Sequence, residues 1–152
     1  MKKTKVPFVD LKSQWSFERK SLLKIIDKVM STGQFVGGKN VDLFEKKIAK
    51  LCNVKHAVSM NSGTDALTIA LHVAGIGRGD EVITAPNSFI STASIIAHLG
   101  AKPVFVDVLP DQNIDPNKVE SAISSKTKAI IPVHLTGRIS EMKSIMSIAK
   151  KK

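Results

Sequence analysis

From Ala57 onward, short apolar runs alternate with longer helical stretches, and this alternation restricts the fold more than any other feature of the chain. Runs of four or five residues suit buried strands, whereas apolar residues recurring at helical spacing over ten or more suit helices. Residues 57–60, 81–85, 104–108 and 129–133 read as strands. The helix opened by Ser62-Gly63-Thr64-Asp65, the helix 90–99, a short helix from Pro116 to Ile123 and a last helix from Ser140 separate or follow them. Strand and helix in strict succession, with continuously apolar strands, predict a mostly parallel sheet covered by helices on both faces. Ligands of such sheets bind beyond the carboxyl ends of the strands. Two of those ends are the turns at Ser62-Gly63-Thr64 and at Pro86 to Phe89.

The turn after residue 60 is the more informative of the two. Ser62, Thr64 and Asp65 are helix-capping residue types, and Gly63 lets the backbone turn where a side chain would collide. A helix start presents unpaired N–H groups and a partial positive charge, a setting for an anion such as phosphate. An ordinary capped helix has the same residues, so the motif leaves both readings open. The helix it opens is apolar nearly all round and is predicted to be sandwiched. Phe89, one strand away at the head of the next helix, is either a core residue or a face on which a planar ligand stacks.

The N-terminal third reads differently. Residues 1–13 are predicted to be an extended arm, and residues 14–30 an amphipathic helix with Leu22, Ile25, Ile26 and Val29 on its apolar stripe. A glycine-punctuated loop follows, with Gly33, Gly37 and Gly38 around Phe35 and Val36. It either folds onto its own core or covers a pocket or a partner subunit. A second helix carries Val41, Phe44, Ile48 and Leu51 on one side. In domain terms, residues 1–36 are arm, helix and the start of the glycine loop, and 37–152 the α/β core.

Several classes are disfavoured. At 152 residues and 43% hydrophobic composition, the chain reads as globular. No apolar run approaches the ~20 residues of a membrane span, and the first residues have no apolar signal core. The single Cys52, expected in the core, fits a reducing compartment, so the expected location is the cytoplasm. A net charge of +10 suits a polyanion, yet the lysines are scattered and no basic run is interleaved with aromatics, so nucleic acid is not expected as a partner. Neither Gly-x-Gly-x-x-Gly after a strand, nor a P-loop, nor a Gly-x-Ser-x-Gly elbow occurs. The four histidines are far apart and accompanied by one cysteine, which gives no metal-ligand spacing.

Taken in order, Gly37-Gly38, Phe44-Glu45, Asn61-Ser62-Gly63-Thr64-Asp65-Ala66-Leu67, Gly79-Asp80-Glu81-Val82-Ile83, Pro86-Asn87-Ser88-Phe89-Ile90, Gly100-Ala101, Val104-Phe105-Val106-Asp107-Val108, Lys126-Thr127-Lys128-Ala129-Ile130 and Pro132-Val133-His134-Leu135 with Gly137 resemble the first part of the DegT/DnrJ/StrS family of sugar aminotransferases. The resemblance runs from about Pro7 to the last residue. It implies part of the large domain of the aspartate-aminotransferase fold, also called fold type I. It further implies pyridoxal 5'-phosphate as cofactor, a keto sugar nucleotide and an amino donor such as glutamate as substrates, and a homodimer with active sites at the interface. By resemblance, Gly63, Thr64 and Asp65 hold the cofactor phosphate and Phe89 stacks on its ring. The loop of Gly33, Phe35, Gly37 and Gly38 lies near the substrate or the other subunit. His134 belongs to a motif without an assigned role.

Two family residues have no counterpart in these 152 residues: the acid on the pyridine nitrogen and the lysine that binds the cofactor covalently. Asp107 is read as structural, and Lys126, Lys128, Lys143 and Lys150 match other positions. Covalent anchoring and an electron sink are both needed for transamination, so no catalytic residue is assigned and the chain alone is expected to be inactive. The alternatives are part of a dehydratase of the same family, with histidine in place of the lysine, and a non-catalytic basic binding domain.

Overall fold

A computed structural model describes residues 6–151. Its contacts divide the chain into two compact units, Met1–Ser59 and Met60–Lys152.

The first unit holds α1 (Leu11–Met30) and α2 (Lys39–Leu51). α1 begins three residues earlier than the apolar periodicity suggests, so residues 11–13 are helix rather than arm. The cause is Asp10, whose carboxylate accepts from the Ser13 amide at 3.0 Å and the Ser13 hydroxyl at 2.6 Å. Residues 1–5 of the expected arm lie outside the described residues. No residue of α1 is buried, and α2 buries only Ala49. The expected strand 57–60 is absent: the Ser59 amide donates to the Glu45 carboxylate at 2.7 Å instead of joining a ladder, and Val58 is exposed. Cys52 is exposed as well, contrary to its expected place in the core.

The second unit is the α/β part. Helix α3 (Gly63–Val73) precedes β1 (Glu81–Thr84), α4 (Ser91–His98), β2 (Lys102–Phe105), α5 (Pro116–Ala122), β3 (Thr127–Ile131) and α6 (Met142–Lys150). Three parallel strands stand in the order β2-β1-β3. One fewer strand forms here than the four expected, and β2 and β3 each begin two residues before their expected positions. Pairing nevertheless extends past β2, since the Val106 amide donates to the Thr84 carbonyl at 3.1 Å.

Central β1 explains the layering. Successive side chains of a strand point to opposite faces. Val82 packs with Leu71, Ile76, Ile95, Ile96 and Ala101 on the α3–α4 side. Ile83 and Ala85 pack with Val106, Ile114, Val119, Ile145 and Ile148 on the other, beneath α5 and α6. Each fully buried Val or Ile contributes about 1.5–3 kcal/mol by leaving water, so the two clusters hold helices to both faces as the alternation predicts.

Coverage is uneven. α3 buries only Leu71 and exposes Ile69 and Val73, so it is packed on one side rather than sandwiched. α6 turns Ile145 and Ile148 inward and leaves Met146 and Ala149 exposed, a rotation from the expected face of Met142, Ile145, Met146 and Ala149. Asp115 caps α5 by accepting from the Asn117 amide, with Pro116 in the first turn, as its sequence predicts.

Candidate functional site: two helix starts at the sheet's carboxyl edge

α3 begins where β-region backbone at Ser62 meets helical backbone at Gly63. The Ser62 hydroxyl accepts from the Asp65 amide at 3.1 Å, and the Ser62 carbonyl accepts from the Ala66 amide at 3.0 Å. Among the described residues the Gly63 and Thr64 amides have no protein partner. They are the orphan donors of a helix start. A Cβ at Gly63 would meet nothing within 4 Å.

Across from this turn stands the start of α4. The Thr64 and Ser91 hydroxyls are 2.7 Å apart, although 27 residues separate them in sequence. Ser91 is buried, at 8% exposure, and its neighbour Thr92 shares a 3.0 Å hydrogen bond with the Ser88 hydroxyl. Phe89 lies two residues before Ser91 and is 76% exposed, so its ring is a free face and not part of the core. Two helix starts are thus joined by a hydroxyl pair, with two free amides at one of them and an uncovered aromatic residue just ahead of the other.

Of the predicted residues, Gly63 and Thr64 stand side by side at the start of α3, and Phe89 precedes the start of α4, which the Thr64–Ser91 contact joins to α3. Asp65 joins through its backbone position only, because its amide is already engaged by Ser62. Gly33, Phe35, Gly37 and Gly38 belong to the first unit, where Phe35 and Val36 are exposed and all three glycines have positive φ. Asp107 accepts from the Val108 amide at 2.8 Å, a local turn contact. Sequence reading missed Ser91, because nothing in a run of small residues announces a partner 27 positions away. It also missed Asn113, which is buried and holds the segment after β3: its carboxamide accepts from the Leu135 amide and donates to the Arg138 carbonyl and the Asp111 carboxylate, each at 3.2–3.3 Å. His134 sits in that segment and accepts from the Ser140 amide through Nδ1 at 3.2 Å.

A groove of about 710 Å³ lies elsewhere, lined by Asp111, Asp115, Glu120, Glu141, Lys143 and Lys151 among others. Thr64, Asp65, Thr68, Ser94, Ile95 and His98 line a smaller depression of about 280 Å³.

The model of the DegT/DnrJ/EryC1/StrS aminotransferase family matches residues 17–152. The chain belongs to that family. A member from Geobacillus stearothermophilus described as a pleiotropic regulatory protein is 46% identical over 147 residues, 96% of this chain and 40% of the relative. The UDP-2-acetamido-2-deoxy-3-oxo-D-glucuronate aminotransferase of Pseudomonas aeruginosa is 41% identical over 147 residues, covering 96% and 41%. Among solved structures, Streptomyces venezuelae DesV in complex with a ketimine intermediate superposes with a TM-score of 0.92 at 38% identity, over 96% of this chain and 40% of that one. NtdA from Bacillus subtilis with bound cofactor PMP gives 0.93 at 37%, over 99% and 35%. The chain therefore spans about two-fifths of the length of the family members it matches. At these TM-scores its architecture is that of a partial fold-type I aminotransferase domain.

Proposed function

We propose that this chain is the phosphate-binding part of a pyridoxal-phosphate-dependent aminotransferase that transfers an amino group, commonly from glutamate, to a keto sugar nucleotide. One observation carries the reading: the unpartnered Gly63 and Thr64 amides and the Thr64 hydroxyl lie together at a helix start in a chain of this family. These groups suit a phosphate dianion, because backbone donors and the helix dipole both favour negative charge there. Phe89 offers an uncovered face for the pyridine ring. When bound, the cofactor supplies a carbonyl carbon that carries the amino group and a ring that takes up electrons. The Asp65 amide is engaged by Ser62, so in this reading the phosphate is held by Gly63 and Thr64, with Asp65 beside them in the first turn. The loop of Gly33, Phe35, Gly37 and Gly38 serves the substrate or a second subunit, and the working enzyme is a cytoplasmic homodimer. No helix among the described residues is long and apolar enough to cross a membrane.

The substrate class rests on the relatives, whose names specify UDP- and dTDP-linked amino sugars. Equilibrium dialysis of the chain against pyridoxal phosphate and unphosphorylated pyridoxal tests the site. Preference for the phosphorylated form, lost in Thr64→Val, supports the reading; equal retention of both overturns it. Reading the coding sequence beyond codon 152 tests the chemistry: lysine at the family's covalent position supports transamination, and histidine there replaces it with dehydration.

A further inference from the structure

Thr64 does not stand alone at the helix start. Its hydroxyl is 2.7 Å from that of Ser91, and Ser91 is more than nine-tenths buried at the first turn of α4. Neither hydroxyl has another side-chain partner among the described residues. The contact crosses from α3 to α4, so it ties the orientation of one helix start to the other.

Either oxygen can donate in the isolated pair. An anion removes that freedom, because phosphate oxygens at neutral pH mainly accept. If the Thr64 proton turns to the anion, Thr64 must accept from Ser91, and the chain runs Ser91 to Thr64 to phosphate. Hydrogen bonds in series polarise one another, and the one that ends on a charge is strengthened. We infer that Ser91 is a positioning residue for the proposed phosphate site: it acts through Thr64, fixing that hydroxyl as a donor toward the ligand without touching the ligand itself. This rests on the cofactor-phosphate reading given above, and it adds a residue on a second helix to that site. The burial of Ser91 supports the role, since an exposed hydroxyl would exchange partners with water and hold no fixed direction.

The test is a double-mutant cycle on this chain with Ser91→Ala, Thr64→Val and the pair, worked at concentrations where light scattering shows no aggregate. The probes are pyridoxal phosphate and pyridoxal in equilibrium dialysis, with far-UV circular dichroism to confirm that each variant keeps its helices. Ser91→Ala should weaken pyridoxal phosphate about fivefold, the worth of one ordinary hydrogen bond, and leave pyridoxal unchanged. In the Thr64→Val background the Ser91→Ala effect should disappear, because its only route to the ligand is gone. Ser91→Thr, which keeps the hydroxyl, should recover most of the loss; it serves as the check if Ser91→Ala unfolds. Wild-type chain that prefers the phosphorylated probe, with Ser91→Ala binding equally well or with additive effects in the cycle, overturns the role of Ser91 alone. A wild-type chain with no preference for the phosphorylated probe overturns the site and, with it, this inference.

Discussion

Ser62, Thr64 and Asn113 show how single side chains decide local structure here. Ser62 occupies the Asp65 amide and leaves the two preceding amides free, so it both ends one stretch of backbone and exposes donors. Ser62→Ala is expected to cost about 1 kcal/mol, read as a lower urea midpoint with unchanged slope. Asn113 is 1% exposed and makes side-chain contacts to Asp111, Leu135 and Arg138. Asn113→Ala should destabilise the chain by about 1–3 kcal/mol, because it removes three hydrogen bonds made by a buried side chain, to Asp111, Leu135 and Arg138. The residues of the proposed site were legible to different degrees. Gly63 and Thr64 announce themselves by type and by position after an apolar run. Ser91 does not, since hydroxyl residues at a helix start are common and only the tertiary approach of α4 gives this one a partner.

Among the elements, β1 carries the largest share of the fold. It sits between β2 and β3, and its side chains feed both apolar clusters. Ile83→Ala, at a position with no exposure, should cost about 2–5 kcal/mol, measured by denaturant unfolding. At the amino end of the same strand, Glu81 accepts from the Ser124 hydroxyl at 2.7 Å and from Lys102 Nζ at 3.1 Å. It thereby joins β1 to β2 and to the turn before β3. The Ser124 hydroxyl first, and Lys102 second, hold its carboxyl below the usual glutamate value. A depressed carboxyl stabilises the fold at pH above its unfolded-state value and loses that contribution as pH falls through the lowered one. Stability should therefore fall on acidification, and Glu81→Gln should flatten part of that acid slope. An identical slope in the variant counts against the linkage. Element types were readable because periodicity differs between strand and helix. Strand 57–60 was misread for the same reason: an apolar run specifies a strand only if a neighbour is available to pair with it.

On the scale of the whole chain, the apolar residues left outside are as informative as the core. Phe8, Phe17, Val36, Leu51, Val73 and Phe89 are all more than three-quarters exposed. Surfaces of that kind mark contact sites when they are contiguous and association hazards when they are left open. The 152-residue polypeptide is expected to associate as its concentration rises, seen by static light scattering; a concentration-independent monomer with a sharp melt would contradict this. By itself it is expected to show no transamination of keto sugar nucleotides with glutamate, and no visible absorbance that survives dialysis, because the family resemblance assigns neither the covalent lysine nor the ring-nitrogen acid to any of these residues. Turnover by the polypeptide would place the missing amine somewhere within it.

The alternation of strand and helix after residue 80, the parallel sheet with two covered faces, the family and the capped helix start at Ser62 to Asp65 were legible in the sequence, because periodicity, capping residues and motif order are local properties. The pairing of Thr64 with Ser91, the release of Phe89 from the core, the absence of a strand at 57–60 and the face that α6 turns inward were decided only in three dimensions. Each depends on which distant segment arrives as a neighbour, and hydrogen bonding and burial are energies of pairs, which no single stretch of chain contains.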